Sequence, residues 1–357
     1  MVLRLLLTCP KMLRLRLYLW LIVALTALAG PSAAYQKPER AAEGKNLRPG
    51  ENVLWSDPGD VASLDFVNGA GGVDGQPQTP FQFVEEDMAG TNPKIKVRDG
   101  KGRSWSVKFG EEAKPSVMAT RLAWACGYNV ETEYLIAHGR IEGAHGLKRA
   151  ASAVQGDGSF TDARFQLRAD SPKYLPANNW AWSSNPFLGS TQLNGLKILA
   201  MLVSNWDTKD ARDRDTSANS ATADSNLGIF QASGDSAPRY LYLITDWGAS
   251  FGRWGSAPGL RNKFDCRAYS NQTPQFVMGA RNGIVQWGYS GKHNSDITAN
   301  IRTSDVAWLL QFLGRVTDEQ LRRGLAASGS SPEQMECFVQ SIRARIGQLQ
   351  ALPKGVR

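Results

Sequence analysis

The chain has 357 residues, with 41 Lys and Arg against 33 Asp and Glu, a formal net charge of +8 and four cysteines. Apolar residues make up 42% and charged residues 21%, a balance typical of a globular protein that excludes wholesale disorder. The length suffices for one large domain or two ordinary ones. The positive charge raises the possibility of nucleic acid binding, which depends on how much of that charge lies in the N-terminal segment.

The first 34 residues are typical of a secretory signal peptide. Basic residues up to Arg16 precede the apolar run 17–28, and small residues at 29–34 follow it. The run is shorter than the roughly 20 residues that a membrane span requires. We therefore predict an exported protein, periplasmic or extracellular, which contacts a membrane only if residues 1–34 are not cleaved. These residues carry four positive charges and no negative one, so the remainder has a net charge of +4, and no nucleic acid partner is expected.

The next part of the chain predicts a polar segment followed by a small strand-rich unit. Residues 35–80 are polar and rich in Gly and Pro, which indicates a flexible arm or linker. Alternating apolar and polar residues then predict strands over 81–87, 94–99 and 104–110. A helix follows, with a proline near its start and Gly127 at its end, and a further strand is expected after it.

The second half of the chain predicts helices around one hairpin. Residues 190–206 have the apolar stripe of a buried helix. Strand patterns at 226–231 and 240–248 indicate a hairpin. The last hundred residues are expected to be mostly helical, with helix-start signals at Thr317 and Ser331.

Three cysteines follow the predicted signal peptide. Cys266 and Cys337 are a candidate pair, because export implies an oxidising compartment, but the sequence leaves open whether they are bonded. Cys126 lies in an apolar helical stretch and is expected as a buried free thiol. The chain has no CxxC and its three histidines form no HExxH, so no Cys/His metal site is expected.

Three short segments carry the residue types that phosphoryl transfer from ATP requires. Lys108 lies near the end of a predicted strand, and the run N-W-D-T-K-D places Asp207 and Lys209 directly after the apolar helix. The hairpin begins at Asn226 and ends at Asp246 in the run T-D-W-G. This chemistry needs a cation for the phosphates, a residue that positions the acceptor hydroxyl, and oxygen ligands for Mg²⁺. These residues supply those parts in that order.

On these segments the chain resembles the atypical protein kinase-like fold, as found in toxin–antitoxin kinases, lipid kinases and secretory-pathway kinases. It is also similar to uncharacterised exported bacterial proteins with a VK strand, an NWDxKD loop and a DxG turn. The resemblance covers roughly residues 81–315. It implies an α+β architecture of two lobes, a small β-rich N-lobe with one helix over 81–138 and a mainly helical C-lobe over 139–357.

The resemblance also implies roles for individual residues. Lys108 corresponds to the lysine that anchors ATP, Asp207 to the catalytic aspartate, and Lys209 to the lysine that contacts the transferred phosphate. Asn226 and Asp246 correspond to the two metal ligands. The implied cofactors are ATP and Mg²⁺, and the acceptor is an unknown protein or small molecule with a hydroxyl group.

Three features depart from the kinase pattern. Gly90, which the resemblance implies as cofactor-binding, is the one glycine where the phosphate-covering loop of kinases has three. The helix after Lys108 contains no acid to pair with it, and Glu111 and Glu112, just before that helix, are the candidates. The catalytic aspartate and the metal-binding asparagine are 19 residues apart, where kinases have about five, and the polar run 210–225 lies between them.

Two other classes of function remain open on the sequence. A catalytically inactive pseudokinase, or a surface module that binds glycans or peptides, is the alternative to an active enzyme. The tryptophans that such a module would present are Trp180, Trp182, Trp247, Trp254 and Trp287, although packing in the core and loops is the favoured explanation for them. A hydrolase is disfavoured, because the chain has no GxSxG or HExxH.

Overall fold

The computed structural model describes residues 47–88, 92–208, 226–292 and 294–352, all within one unit, Ala42–Arg357. Strands and helices both occur along this unit, so the predicted mixture of α and β structure is confirmed. Within the described ranges, no helix is both long enough and apolar enough to cross a membrane. The predicted signal peptide lies outside them.

The secondary structure elements of the described ranges are numbered in chain order. The strands are β1 (Glu51–Val53), β2 (Phe81–Asp87), β3 (Lys94–Arg98), β4 (Ser104–Lys108), β5 (Glu133–Glu142), β6 (Ser159–Leu167), β7 (Lys173–Asn179), β8 (Leu227–Ala232), β9 (Arg239–Ile244), β10 (Val277–Arg281) and β11 (Ile284–Trp287). The helices are α1 (Ala113–Ala125), α2 (Thr191–Leu202), α3 (Cys266–Gln272), α4 (Ser295–Thr298), α5 (Thr303–Leu313), α6 (Asp318–Ala327) and α7 (Pro332–Gln350).

Five strands close into a barrel in the order β2-β3-β4-β6-β5. Neighbouring strands are antiparallel except β2 and β5, whose parallel pairing closes the barrel. Ile95 and Val97 on β3 and Trp105 and Val107 on β4 are fully buried, because alternate side chains of a strand lie on the same face. They belong to an apolar core of the barrel, and α1 packs against β5 and β6.

The barrel continues beyond residue 138, where the sequence places the end of the N-terminal unit. Strand β5 extends past that position, and β6, in a region expected to be loop-rich, completes the barrel. Two polar residues of β6, Arg164 and Gln166, are buried. They interrupt the apolar alternation that identifies a strand in a sequence, and this is why β6 is absent from the predicted elements.

Residues 47–80, the described part of the predicted flexible arm, pack against the rest of the unit, which corrects that prediction. Strand β1 pairs in parallel with β9, and Val61 and Phe66 are fully buried. The carbonyl oxygen of Phe66 accepts a 2.6 Å hydrogen bond from Nε of the buried Arg121 on α1. A few isolated apolar residues anchor this segment, and a Gly- and Pro-rich composition gives no periodic signal for them.

Helix α2 lies at the centre of the second apolar core, and its residues 198–202 are completely buried. It packs against α5, and the sheet β1-β9-β8-β7 contributes side chains to the same core. The loop after α2 is bonded to the loop after β9, because the N–H of Phe251 donates to the carbonyl of Val203 at 2.8 Å. Two loops that are distant in sequence are thereby held side by side.

The predictions about two helix starts and about Cys126 are confirmed, and the alternative that the sequence leaves open for Cys266 and Cys337 is decided. Helices α6 and α7 begin with capping boxes at Thr317 and Ser331, as their sequences indicate. A disulfide bond joins Cys266 at the start of α3 to Cys337 on α7. Cys126 is a buried free thiol, and burial raises its pKa well above the ordinary value.

Candidate functional site

The Lys108 ammonium group lies between two carboxylates at the edge of the barrel. Its Nζ donates to Oε2 of Glu112 at 2.7 Å and to Oδ2 of Asp246 at 2.9 Å. Only 8% of the lysine side chain is exposed. Burial acts to lower the pKa of Lys108, but Asp246 and Glu112 outweigh it, so the pKa lies above its ordinary value. The lysine is therefore charged, and both of its partners are acids.

Glu112, not Glu111, is the acidic partner of Lys108. It occupies the residue before α1 and makes no capping bond to that helix. Its Oε2 accepts from Lys108, and its Oε1 accepts from Nζ of Lys263. Burial acts to raise the pKa of Glu112, but the two lysines outweigh burial and the nearby charge of Asp246, so the pKa lies below its ordinary value.

Gly248, the glycine of the T-D-W-G run, has no room for a side chain, because its backbone lies close to Glu112 and Asp246. A Cβ atom on Gly248 would lie 2.6 Å from Cβ of Glu112 and 2.9 Å from Oδ1 of Asp246. The Gly248 N–H also donates to Oδ1 of Asp246 at 2.8 Å. Burial acts to raise the pKa of Asp246, but Lys108, Arg164 and this N–H outweigh it and hold the pKa well below its ordinary value. The Asp246 carboxylate is therefore ionised and oriented.

The loop after α2 connects Asp246 to two further predicted site residues, Asp207 and Asn226. Nδ2 of Asn205 donates to the carbonyl oxygen of Asp246 at 3.2 Å, and Oδ1 of Asn205 accepts from the N–H of Asp207 at 3.4 Å. Asn226, at the start of the hairpin, donates through Nδ2 to the carbonyl oxygen of Asp207 at 2.9 Å and to its Oδ2 at 3.3 Å. Contacts thus run without a break from Lys108 to Asn226.

The structure therefore brings together four of the six residues that the sequence singles out. Lys108, Asp207, Asn226 and Asp246 form one contact chain, which Asn205 completes. The 19-residue spacing between Asp207 and Asn226 does not separate them. The other two residues, Gly90 and Lys209, lie outside the described residues.

Residues from distant elements hold the backbone of the N-W-D loop. Arg345 on α7 is buried, and its Nη1 donates to the carbonyl oxygen of Leu202 at 2.6 Å. The Tyr269 hydroxyl donates to the same carbonyl oxygen at 2.7 Å, and the Tyr289 hydroxyl donates to the carbonyl oxygen of Asn205 at 3.0 Å. These bonds satisfy carbonyl groups at the end of α2 and set the path of the loop.

Sequence reasoning missed three residues of this region. Asn205 is the first residue of the N-W-D run, and its place next to the predicted Asp207 was the one signal in the sequence that could have identified it. Lys263 follows no motif, and its pairing with Glu112 depends on long-range packing. Arg164 lies directly opposite Lys108 in the register of β6 and β4 and forms a 3.1 Å ion pair with Glu133.

The donor atoms at this site suit a hard divalent cation. Asp246 offers a carboxylate, and Asn226 offers its amide oxygen, because the amide nitrogen bonds to Asp207. Mg²⁺ prefers oxygen ligands and is commonly held by one or two protein side chains together with substrate phosphates. Over the described ranges, no cluster of three or more His, Cys, Asp or Glu side chains is arranged to hold a metal ion.

The predicted aromatic platform is largely absent within the described residues. Trp180, Trp182 and Trp247 are buried in the second core. Trp254 and Trp287 are partly exposed. The core-packing interpretation therefore holds for the three buried tryptophans.

No protein-family model matches the chain, and no curated protein matches its sequence. Among solved structures, the chain is similar to the Golgi casein kinase, with 11% identity and a TM-score of 0.37 over 83% of this chain and 78% of that chain. It is also similar to the Golgi casein kinase with Mn/ADP bound, with 10% identity and a TM-score of 0.32 over 82% and 76% of the two chains. TM-scores this low do not establish a shared fold.

Proposed function

We propose that the chain is an exported kinase-like phosphotransferase that uses ATP and Mg²⁺ to phosphorylate a hydroxyl group of an acceptor protein or small molecule. The observation that carries the proposal is the contact chain from Lys108 through Asp246, Asn205 and Asp207 to Asn226. Its first link joins residues 138 positions apart in sequence. A cation for phosphates, oxygen ligands for a metal and a carboxylate for the acceptor lie together in it.

The order of elements around these residues supports a two-lobed kinase-like scaffold. In protein kinases the lysine lies on the third strand, and its partner glutamate lies on the helix that follows. Lys108 ends β4, the third strand of the barrel, and Glu112 directly precedes α1. We assign the barrel with α1 to the N-lobe, which then ends after β6, and the part of the chain after β6, which contains helices α2–α7 and strands β7–β11, to the C-lobe.

Four residues of the contact chain, and Lys209, have defined tasks in this proposal. Lys108 exchanges its bond to Asp246 for phosphate oxygens of ATP and keeps its bond to Glu112. Asp246 and Asn226 would hold Mg²⁺, which would supply positive charge to neutralise the phosphates. Asp207 would orient the acceptor hydroxyl and accept its proton as the hydroxyl oxygen bonds to the γ-phosphorus of ATP and the bond from that phosphorus to the leaving ADP breaks. Lys209 is assigned to the transferred phosphoryl group.

The disulfide supports an exported location. Disulfide bonds persist in oxidising compartments and are rare in the cytosol of most organisms. The bond between Cys266 and Cys337 therefore agrees with the signal peptide predicted over residues 1–34, and we propose a periplasmic or extracellular site of action.

The test is binding and turnover of ATP by the purified protein. We expect calorimetry to detect Mg-ATP binding and radiolabelled ATP to transfer phosphate to the protein itself or to an added hydroxyl acceptor. Asp207→Asn should abolish transfer but retain nucleotide binding, because the proposal assigns the Asp207 carboxylate to the acceptor hydroxyl and the backbone carbonyl of residue 207 still accepts from Asn226. Asp170→Asn changes an exposed aspartate away from the site and serves as the matched control. Absence of Mg-ATP binding in the wild-type protein overturns the proposal.

A catalytically inactive binding module is the second candidate. The partly exposed Trp254 favours it, because its ring centroid lies 5.0 Å from that of Trp206, with the rings tilted by 43°, and the Arg261 guanidinium lies 4.2 Å from the centre of the Trp254 ring. Tryptophan is enriched at interfaces, where one side of the ring is apolar and the N–H finds a polar partner. Binding on a glycan array that survives Asp246→Ala and is lost with Trp254→Ala would support this candidate over the enzyme.

A further inference from the structure

The carboxylate of Glu112 is shared between two lysines from different parts of the chain. Its two oxygens accept separately from Lys108 and Lys263. The exposed side-chain fractions are 12% for Glu112 and 17% for Lys263, so both ion pairs are largely buried. Protein kinases build the corresponding ion pair from one lysine and one glutamate. Lys263 adds a third member to it.

Lys263 lies at the base of a closed loop that follows the Asp246 turn. The backbones of Arg253 and Asn262 bond to each other in both directions, at 3.0 and 3.1 Å, and close this loop directly before Lys263. The segment from Trp247 to Phe264 contains three basic residues and no acidic one. Glu112 is therefore the acid that Lys263 pairs with across the site.

Lys263 also contacts the loop that carries Asp207. Its Nζ lies 5.8 Å from the centroid of the Trp206 ring, and Trp206 directly precedes Asp207. The N–H of Trp206 approaches the carbonyl oxygen of Ala249 at 3.4 Å, which joins the two segments a second time. One lysine therefore lies between the partner of Lys108 and the loop of the proposed acceptor-binding aspartate.

The ion pairs in this region form a series in which acidic and basic side chains alternate. Asp246, Lys108, Glu112 and Lys263 follow one another as acid, base, acid and base. Without Lys263, Lys108 would be the one described lysine or arginine that pairs directly with Asp246 or Glu112, and Glu112 would lose a charge-assisted hydrogen bond that fixes its orientation. Lys108 would then be held more strongly by carboxylates and would bind phosphate oxygens less well.

We propose that Lys263 is a positioning residue of the phosphotransferase site: it acts through Glu112 to set Lys108 for the nucleotide phosphates. Because its loop is bonded to the loop of Asp207, it couples the nucleotide anchor to the acceptor side of the site. This inference rests on the proposed function.

The test compares Lys263→Met and Lys263→Arg with Lys114→Met. Lys114 lies in the first turn of α1, is 30% exposed, and pairs with Asp162 at 2.8 Å, so its change removes an ion pair beside Glu112 without affecting that residue. We expect Lys263→Met to raise the Kd of Mg-ATP about tenfold, the loss of one charge-assisted contact. Lys263→Arg should restore most of the affinity, and Lys114→Met should leave it unchanged. Lys263→Gln replaces Lys263→Met if the latter does not fold.

A double-mutant cycle separates action through Glu112 from a general structural effect. In a Glu112→Gln background, Lys263→Met should cause little further loss of Mg-ATP affinity. Equal loss in both backgrounds, or unchanged affinity in Lys263→Met while the wild-type protein binds, overturns this inference alone. If the wild-type protein binds no Mg-ATP, the proposed function fails and the inference fails with it.

Discussion

Two clusters of charged residues lie side by side on the barrel, and they differ in what their charges contact. The inner cluster contains Arg164 and Glu133, whose side chains are 4% and 2% exposed. Glu133 also accepts from Ser116 at 2.7 Å and from Gln166 at 3.1 Å. The outer cluster contains Lys108 and Asp246, and 29% of the Asp246 side chain is exposed.

This difference distinguishes a structural network from a functional one. In the inner cluster several side-chain donors satisfy one carboxylate out of contact with solvent, which is the pattern of a network that fixes a fold. In the outer cluster the side chain of Asp246 remains partly accessible to solvent, so Asp246 is able to exchange Lys108 for another binding partner. Lys108 and Arg164 are directly opposite each other in the strand register, so the two clusters meet at one pair of residues.

Asp246→Asn should have the largest effect and should act on turnover. Removing the charge takes away the proposed metal ligand, and we expect transfer from ATP to fall about a thousandfold, the usual scale for loss of a major electrostatic contribution. The thermal midpoint should fall less than in Glu133→Gln, because Asp246 loses its charge beside Lys108 and Arg164 but Lys108 keeps its bond to Glu112. Phosphate transfer with radiolabelled ATP measures the first effect and calorimetry the second. Near wild-type turnover would contradict the proposed role of Asp246 as a metal ligand.

Glu133→Gln should mainly lower the stability of the protein, whereas Asp246→Asn mainly lowers turnover. It leaves the buried guanidinium of Arg164 without its ion-pair partner, and breaking such a pair typically costs about 3 kcal/mol. We expect urea denaturation to show this loss in the free energy of unfolding. Mg-ATP affinity of the folded variant should change much less than it does in Asp246→Asn. A stable Glu133→Gln variant that binds no nucleotide would show that the inner cluster also serves nucleotide binding and is not separate from the outer cluster in function.

The pH dependence of stability should reveal Glu131, which borders the inner cluster. Burial and the nearby charges of Glu133 and Asp246 raise its pKa from the ordinary value of 4.5 to about 7, while Arg168 and Arg164 oppose the rise. A carboxyl group with a raised pKa binds more protons in the folded state than in the unfolded state. Its contribution to stability is therefore present below pH 4.5 and is lost as the pH rises to about 7.

Glu131→Gln should remove this dependence. We expect the variant to gain about 2 kcal/mol relative to the wild-type protein between pH 5 and pH 8, since glutamine is never charged. Denaturant titrations of both proteins at the two pH values measure the change. Parallel pH profiles for variant and wild type would mean that Glu131 ionises normally in the folded protein.

Gly248→Ala should have the smallest effect, and it tests the close approach at the outer cluster. The added methyl group would lie 2.6 Å from Cβ of Glu112, so the residue before α1 must move. Overpacking of this kind costs about 1–3 kcal/mol, and we expect Mg-ATP affinity to fall about tenfold with it. Gly347→Ala is the control, because a Cβ there meets nothing within 4 Å. Equal behaviour of the two variants would argue against the contact with Glu112.

Much of the local structure was accessible from the sequence. Period-two patterns predicted β2, β3 and β4, and a helical stripe predicted α2, because these patterns reflect burial of one face. The position of Lys108 at a strand end and of Asp207 after a helix followed directly. Strand β6 escaped detection because Arg164 and Gln166 occupy buried positions, where the pattern expects apolar residues.

The sequence by itself determined which residue types are present, their order, and the elements whose ends carry them. It left Glu111 and Glu112 as equal candidates and gave no sign of Lys263. Only the tertiary structure decided that Glu112 binds both Lys108 and Lys263, residues 4 and 151 positions away in the chain. The reason is physical: periodicity records the burial of a local face, whereas an ion pair between distant segments depends on how the whole core brings their loops together.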